Sequence, residues 1–357
     1  MSWHRTSYDH PPLFVAEGRG SRFRDVDGNE YADFNIADMS MFGGYGAGPV
    51  VEALARRAAE GTQFLLPNED SIWVAEELGR RYGLPKWQFT LAATGANTEA
   101  IRTARALTGR QRVLFFEGKY HGHFDDVLVE RDDAGRLVPE EGGLPSDVTR
   151  NTKLVPFNDP EALRAALEPR DVAIVITEPA LTNNVGLLLP DEGFHAQLRA
   201  ITRETGTLLC YDETHTQVVG PGGLTAAWGL EPDLLTAGKS IAAGVPFGAW
   251  GMTETIGHVL LQMKGPDGER GDMVATGGTL FGNALSMAAA RTTMLEVLTY
   301  EAYTSTARLG AKLANGMAAT VRAAGLPWHV HHLGPPGRLH VPSRTGHQRG
   351  RGAGMRR

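Results

Sequence analysis

Between about residues 88 and 252 the chain alternates short, nearly continuous apolar runs with stretches of helical spacing. The runs are Gln88-Phe-Thr-Leu-Ala-Ala, Arg112-Val-Leu-Phe-Phe-Glu, Val172-Ala-Ile-Val-Ile-Thr, Thr207-Leu-Leu-Cys-Tyr, Asp233-Leu-Leu-Thr-Ala and Phe247-Gly-Ala-Trp-Gly-Met. Helices are predicted over about 97–107, 160–167, 191–205 and 284–298. Strands that are apolar throughout need cover on both faces, and helices between them supply it, so the pattern predicts an α/β fold with a mostly parallel, doubly wound sheet. Residues 12–34 read as a β-meander, with Leu13-Phe-Val-Ala-Glu-Gly, Ser21–Val26 and Glu30–Phe34 as strands and Asp27-Gly-Asn as a tight turn. The glycine-rich Gly43-Gly-Tyr-Gly-Ala-Gly-Pro leads into a helix over Val50–Glu60, with Pro49 in its first turn, and a second helix spans about Ser71–Tyr82.

This division predicts an arm and meander over 1–48, a large α/β domain over 49–285 and the start of a smaller C-terminal domain over 286–330. The remainder, 331–357, has no periodicity, and no acidic residue occurs after Glu301. Three readings of this tail stand. A basic RNA-binding tail lacks any aromatic residue beyond Trp328 for stacking on bases. A disordered tail fits the lack of core-forming residues. A shift of reading frame near 331–340 fits the Arg/Gly/Pro/His bias best, because out-of-frame GC-rich coding yields it.

At 357 residues and 42% hydrophobic content the chain is large enough for a substantial core. A net charge of −6 gives no global attraction to nucleic acid or to an anionic membrane. No apolar stretch reaches the length of a membrane span, and the N-terminus has no signal-peptide core. The lone Cys210 precludes a disulfide framework within one chain, so a cytoplasmic setting is expected.

Candidate chemistry converges on two residues. Lys239 lies among small and apolar neighbours in Thr236-Ala-Gly-Lys-Ser-Ile-Ala-Ala, which disfavours a solvated surface charge. Burial lowers a lysine's pKa and makes its amine a usable nucleophile. Asp212 closes an apolar strand, at the end where α/β sheets place their ligands. An aldehyde cofactor with a pyridine ring needs both groups, a lysine for the Schiff base and a carboxylate for the ring nitrogen.

Other strand ends carry weaker signals. Thr94-Gly-Ala-Asn-Thr-Glu-Ala opens a helix and reads as a phosphate cradle or as ordinary N-capping by Thr94 or Asn97. Tyr120-His121-Gly122 offers an aromatic face for a planar ring, or a cap on the sheet edge. Glu178-Pro179 with Thr182, Asn183 and Asn184 reads as a ligand crevice or a turn. Asp212 itself has a helix N-cap as its alternative role. Thr279, in a glycine-rich loop, presents a hydroxyl and an N–H suited to a phosphate oxygen. His215 belongs to no cluster with metal-ligand spacing, so no metal site is expected.

Taken together, Phe23-Arg-Asp-Val-Asp-Gly-Asn-Glu-Tyr-Ala-Asp-Phe, Tyr120-His-Gly, Glu178-Pro, Asp212-Glu, Gly238-Lys-Ser and Gly278-Thr-Leu-Phe-Gly-Asn resemble, in order and spacing, the class III aminotransferases of the pyridoxal-phosphate fold type I group. The similarity is to the branch containing glutamate-1-semialdehyde aminomutase, over about Pro11–Pro327. It implies pyridoxal 5'-phosphate as cofactor and amino transfer between a small-molecule amino donor and a carbonyl acceptor. Lys239 would carry the Schiff base and shuttle the proton, and Asp212 would pair with the pyridine nitrogen. Tyr120 would cover one ring face and Thr214 the other, and Gly95 and Ala96 would hold the phosphate. His121 and Glu178 would complete the cofactor site. Thr279 would reach the phosphate of a neighbouring subunit, making a homodimer with shared sites.

The chain departs from the family in four places, the first being an N-terminal arm that is short before the meander. The family's Gly-His-x-His-Pro loop is Tyr45-Gly-Ala-Gly-Pro here, the phosphate loop reads Thr94-Gly-Ala-Asn instead of Ser-Gly-Thr-Glu, and the tail replaces the rest of the small domain. Intramolecular transfer of the aminomutase type, a cofactor-binding chain with little or no activity and a basic-tailed RNA-associated protein are the alternatives to a transaminase.

Overall fold

The computed structural model describes residues 13–145, 147–183, 186–263 and 274–333. Its centre is a seven-stranded sheet built from β4 (Lys86–Thr90), β5 (Arg112–Phe116), β8 (Thr152–Val155), β9 (Val172–Thr177), β10 (Leu208–Asp212), β11 (Leu234–Gly238) and β12 (Gly248–Met252). The spatial order is β4-β12-β11-β10-β9-β5-β8. Strands β8, β5, β9, β10 and β11 are mutually parallel, and β12 runs against both β11 and β4. The mostly parallel sheet expected from the apolar runs is therefore present, with one reversed strand.

The residues of each strand sort to opposite faces with the two-residue period of a pleated backbone. Val113, Phe115, Ile174, Ile176, Cys210 and Leu234 face one way and pack on helix α3 (Ala93–Thr108) through Ala96, Ala100 and Ala104. Leu114, Phe116, Val175, Leu209 and Tyr211 face the other way, onto Leu163 and Leu167 of α4 (Pro160–Leu167) and Phe194 and Leu198 of α5 (Phe194–Thr205). Leu235, Ala237 and Ala249 meet Val74 and Leu78 of α2 (Glu69–Tyr82) and Met287 of α8 (Ala284–Thr292). Alanines on α3 let that helix lie close to the sheet, and this fixes the helix start beside the strand ends.

The meander is an antiparallel sheet of β1 (Val15–Arg19), β2 (Arg22–Asp25) and β3 (Glu30–Ala32). The Asp25 carboxylate closes its turn by accepting from the Asp27 and Asn29 N–H groups at 3.0 and 2.9 Å. Helix α1 spans Gly48–Glu60 with proline in its first turn. Helix α2 starts two residues earlier than its periodicity predicts, because Asn68 and Ser71 cap it reciprocally. Strand β8 and the hairpin of β6 (Val129–Arg131) and β7 (Leu137–Pro139) were not expected, being short and at or beyond the sheet edge. Nor were α6 (Gly223–Ala227), α7 (Glu254–Gln262) and the 24-residue α9 (Tyr300–Ala323) expected. Helix α9 buries only Tyr303 and Ala314 among its described residues, while its Leu309, Leu313 and Met317, spaced four apart, are exposed. The tail readings concern 331–357, of which 334–357 lie outside the described residues.

His195 on α5 braces one of the strand ends. Its Nε2 lies 2.8 Å from the Pro179 carbonyl oxygen, which only accepts, so Nε2 carries the proton and Nδ1 accepts from the Tyr211 hydroxyl at 2.8 Å. Burial pushes this imidazole down to about 4 from 6.5. A folded-state pKa below the unfolded one gives stability that is present above about 6.5 and lost as pH falls towards 4. The expected outcome is an unfolding midpoint that drops across this window, with a shallower drop in His195→Gln; equal slopes in thermal melts at stepped pH would contradict it.

Candidate active site

Parallel strands end on one side of a sheet, and here four of those ends enclose a cleft of about 300 Å³. Tyr120 and His121 follow β5, Glu178 follows β9, Asp212 and Thr214 close β10, and Lys239 follows β11; all six line the cleft. Strands β10 and β11 are adjacent and parallel, with Asp212 opposite Thr236. This register brings Lys239 and Asp212 to the same opening, as the sequence reading requires.

Asp212 is buried, 3% exposed. Its Oδ2 accepts from Asn97 Nδ2 at 2.8 Å and contacts His121 Nδ1 at 2.9 Å, and its Oδ1 accepts from the Thr214 N–H at 3.0 Å. Burial pushes the carboxyl up, but the hydrogen bond and charge of His121, with the Thr214 and Asn97 donors, outweigh it and hold Asp212 well below the usual carboxylate range. The neighbouring Glu213 points to the opposite side of the strand. There it accepts from the Thr216 hydroxyl at 2.6 Å and the Leu224 N–H at 3.2 Å, and burial raises it to about 7. Gly223, at φ +60°, must be glycine, since a Cβ there would lie 2.1 Å from Glu213 Oε2. Strand alternation thus assigns Asp212 to the cleft and Glu213 to the scaffold.

Lys239 has φ +47°, a left-handed conformation that a lysine adopts at a cost, and its side chain is 19% exposed. Its ammonium pairs with Asp38. Gln217 staples the ends of β10 and β11 together, its Nε2 donating to the Thr214 and Gly238 carbonyl oxygens at 2.8 Å each. Lys119, beside Tyr120, is no competitor for the nucleophile role, because its ammonium donates to the Val129 carbonyl oxygen at 2.6 Å and pairs with Glu140.

Asp38 comes from a left-handed turn. Ile36, Ala37, Asp38 and Met39 have φ of +50°, +48°, +53° and +65°. Each such residue costs about 1–2 kcal/mol relative to right-handed backbone, so the turn must be pinned. Asp33 Oδ1 accepts from the Asn35 and Ile36 N–H groups at 2.8 Å each, and Asn35 Oδ1 accepts from the Asp38 N–H at 2.6 Å. The Tyr45 hydroxyl donates to Asp33 Oδ2 at 2.6 Å, and burial with this carboxylate pushes the phenol up to about 12. Tyr45 belongs to the loop in which the family's histidines are missing.

The cleft's other wall holds Glu178 and His215. Glu178 accepts from Asn183 Nδ2 at 2.9 Å and from the Thr182 hydroxyl, and burial raises its pKa. His215 Nδ1 lies 2.8 Å from the Thr182 hydroxyl, and burial followed by the Lys239 charge pushes it down to about 4, so it is neutral. Among the described residues no group of three or more potential ligands could hold a metal ion.

The structure places the other expected positions as follows. Helix α3 begins at Ala93, not Asn97, so Gly95 and Ala96 lie inside its first turn. Ala96 is fully buried and its N–H donates to the Ala92 carbonyl oxygen at 3.2 Å. Ala92, Ala93 and Thr94 line the cleft, and the Ala93, Thr94 and Gly95 N–H groups precede the first intrahelical bond. Thr94 and Asn97 do not cap the helix; Thr94 Oγ1 accepts from the His123 N–H at 3.3 Å, and Asn97 serves Asp212. The extended backbone of Ala92 marks the start without a side-chain cap, so the sequence carries no signal for it. Thr279 is exposed and does not line the cleft of its own chain. Asn97, Gln217 and Asp38 were missed as functional groups, since nothing in their local sequence distinguishes them from polar turn or helix residues.

Asn97 also accepts from the Thr236 hydroxyl at 2.7 Å, which closes a buried chain of bonds from β11 through α3 to Asp212. Replacing it with leucine strands two buried groups at about 1–3 kcal/mol each. Asn97→Leu is expected to lower the unfolding free energy by about 2–4 kcal/mol, and a double-mutant cycle with Thr236→Val should show coupling of roughly 1 kcal/mol. Additive denaturant-melt energies would contradict this network.

With this geometry in place, the relatives can be compared. The family described as aminotransferase class-III matches residues 4–334. The glutamate-1-semialdehyde 2,1-aminomutase 2 of Halalkalibacterium halodurans is 36% identical over 334 residues, covering 92% of this chain and 76% of the relative. A solved glutamate-1-semialdehyde aminomutase from Pseudomonas aeruginosa, also determined in complex with PMP, is 45% identical with a TM-score of 0.84, covering 90% of this chain and 72% of that one. An omega-transaminase from Sphaerobacter thermophilus is 33% identical with a TM-score of 0.85, covering 93% and 77%. The α/β architecture is fold type I of the pyridoxal-phosphate-dependent transferases. This chain belongs to the class-III aminotransferase family.

Proposed function

We propose that this chain is a pyridoxal 5'-phosphate-dependent transaminase that moves an amino group between a small-molecule donor and a carbonyl acceptor. The observation that carries the proposal is the pairing, at adjacent parallel strand ends, of a lysine amine with a carboxylate held ionised in the protein interior. The residues present fit the cofactor. Asp212 supplies a fixed negative charge for a protonated ring nitrogen, and the Ala93 and Thr94 N–H groups at the start of α3 suit a phosphate. The Thr214 hydroxyl is buried with no partner among the described residues, which suits a group packed against it. Tyr120 would lie over one ring face, with Thr214 on the other, and His121 and Glu178 complete the site's floor and wall.

When bound, the cofactor supplies an electron sink for the carbanion that forms as a proton leaves the substrate. Lys239 Nζ would anchor the cofactor covalently and, once displaced by the donor amine, would take up and hand on the donor's α-proton. His121 and Asn97 keep Asp212 charged throughout. Gln217 keeps the Lys239 and Thr214 segments in register. Thr279, exposed on one chain, would reach the phosphate held by a partner, so the working unit is a homodimer. A cytoplasmic setting is supported by the single buried Cys210, and no helix among the described residues is long and apolar enough to cross a membrane.

Intramolecular transfer is the second reading, favoured by the aminomutase names of the relatives. The two separate on acceptor dependence. A transaminase consumes its donor only when a carbonyl compound is added, whereas an aminomutase isomerises a single substrate without one. The loaded protein is expected to show a visible absorption band that borohydride removes, absent in Lys239→Ala, bleached by an amino donor and restored by a 2-oxo acid. A band that persists in Lys239→Ala would refute the lysine assignment, and one that no donor bleaches would identify a silent cofactor-binding chain. Thr279→Ala is expected to weaken cofactor affinity roughly tenfold with unchanged mass in light scattering; unaltered affinity would remove Thr279 from the site.

A further inference from the structure

We infer that His215, Thr182 and Glu178 form a proton relay that takes the proton from the ammonium group of the incoming donor, so that the donor attacks as a free amine. This inference rests on the proposed function and assigns a step at that same cleft. A primary alkylammonium loses its proton only near pH ~10.4. At neutral pH a donor therefore arrives charged, with no lone pair for attack. A group beside Lys239 that takes this proton activates the donor.

His215 is placed for this. It lines the cleft with Lys239, and its Nε2 is 3.8 Å from Oδ1 of Asp38, the carboxylate that pairs with Lys239. On the other side of the ring, Nδ1 lies 2.8 Å from the Thr182 hydroxyl, and that hydroxyl donates to Glu178 Oε2. A hydroxyl has one proton to give, and Thr182 gives it to Glu178. Its oxygen therefore accepts from Nδ1–H, which leaves a lone pair on Nε2 towards the lysine. Asn183 Nδ2 and the Thr182 N–H both donate to Glu178 Oε1, at 2.9 and 3.3 Å, so Oε2 is the end that receives the proton. The transfer balances. An N–H bond of the donor breaks as one forms at Nε2, the Nδ1 proton passes to Thr182 Oγ1, and the Thr182 proton passes to Glu178 Oε2. The donor's positive charge thereby cancels the negative charge of Glu178. Afterwards the Glu178 O–H donates to Thr182 and the Thr182 O–H donates to Nδ1, so no member is stranded.

Burial decides where the proton rests. It raises Glu178 above the ordinary 4.5, whereas burial and then the Lys239 charge push His215 down to about 4. The carboxyl keeps the proton and the imidazole only passes it on. Besides Glu178 at 3.8 Å, the charged groups that act on His215 are Lys239 and His121, which oppose a proton there, and Asp38 and Asp212, which favour one. Those that act on Glu178 are His121, which favours the carboxylate, and Asp212, which opposes it. Glu178 receives only as the carboxylate, so the relay works above its raised pKa.

The test uses the full chain loaded with cofactor, with butylamine as donor and no acceptor, and follows the bleaching of the visible band. The wild-type rate constant per total amine is expected to be level between about pH 7 and 9. Thr182→Val keeps the shape and removes the hydroxyl. Its rate constant is expected to rise about tenfold per pH unit, because only free amine then reacts, and to lie roughly 100-fold below wild type at neutral pH. Thr182→Ser is expected to restore the level profile, and retained circular dichroism guards against misfolding. A second readout needs neither turnover nor cofactor. In nitrogen NMR of the full chain with labelled histidine, the His215 proton is expected to move from Nδ1 to Nε2 as pH falls and Glu178 is protonated, and this switch is expected to be lost in Thr182→Val and in Glu178→Gln. With the borohydride-sensitive band present, a Thr182→Val profile as level as wild type, or a His215 proton that stays put, overturns the relay and leaves the cofactor reading standing. With the band absent, the cofactor reading fails, and the NMR switch alone decides whether the relay exists.

Discussion

A carboxylate that stays ionised inside a protein must have its lost hydration replaced, and at Asp212 this replacement organises the whole site. Its three partners come from three elements: Asn97 from α3, His121 from the segment after β5, and the Thr214 N–H from the turn after β10. Each partner is held in turn. Asn97 is oriented by Thr236 on β11 and by the His121 carbonyl oxygen, and Thr214 is stapled through Gln217 to Gly238. The bonds that keep one charge in place therefore also fix where α3 begins relative to the sheet and where Lys239 points. Removing a single donor leaves others buried and unpaired, so the network behaves as a unit.

The opposite side of the cleft follows different physics. There the chain tolerates four consecutive left-handed residues that bring one aspartate next to Lys239. The Tyr45 hydroxyl and the Asp33 carboxylate offset that strain. Seen from the sequence, the loop around Tyr45 is a departure from the family's histidine-bearing pattern. In the structure the same departure is part of the support for Asp38. The two walls differ in rigidity as well as chemistry, since Asp212 is buried in packed sheet while Asp38 is half-exposed on a short turn.

The chain spans about three quarters of the length of the relatives it matches. The residues that build the cleft lie between Asp38 and Phe247, within the part that is shared. Among the described residues the cleft is lined from the meander's exit, the sheet and the start of α3.

The fold class was written in the sequence, and so was the nomination of Lys239 and Asp212 as candidates, because both depend on local chemistry. An apolar run must be covered on both faces, and alanine and glycine neighbours disfavour a lysine as a solvated charge. Strand alternation within Cys210-Tyr-Asp-Glu then determines which acid faces the cleft once the sheet's two sides are known. The start of α3, the service of Asn97 to Asp212, the Gln217 staple and the approach of Asp38 to Lys239 were decided only by tertiary structure. Each joins residues far apart in the chain, or depends on a backbone conformation, such as the extended Ala92 or the left-handed Asp38, that no side chain announces.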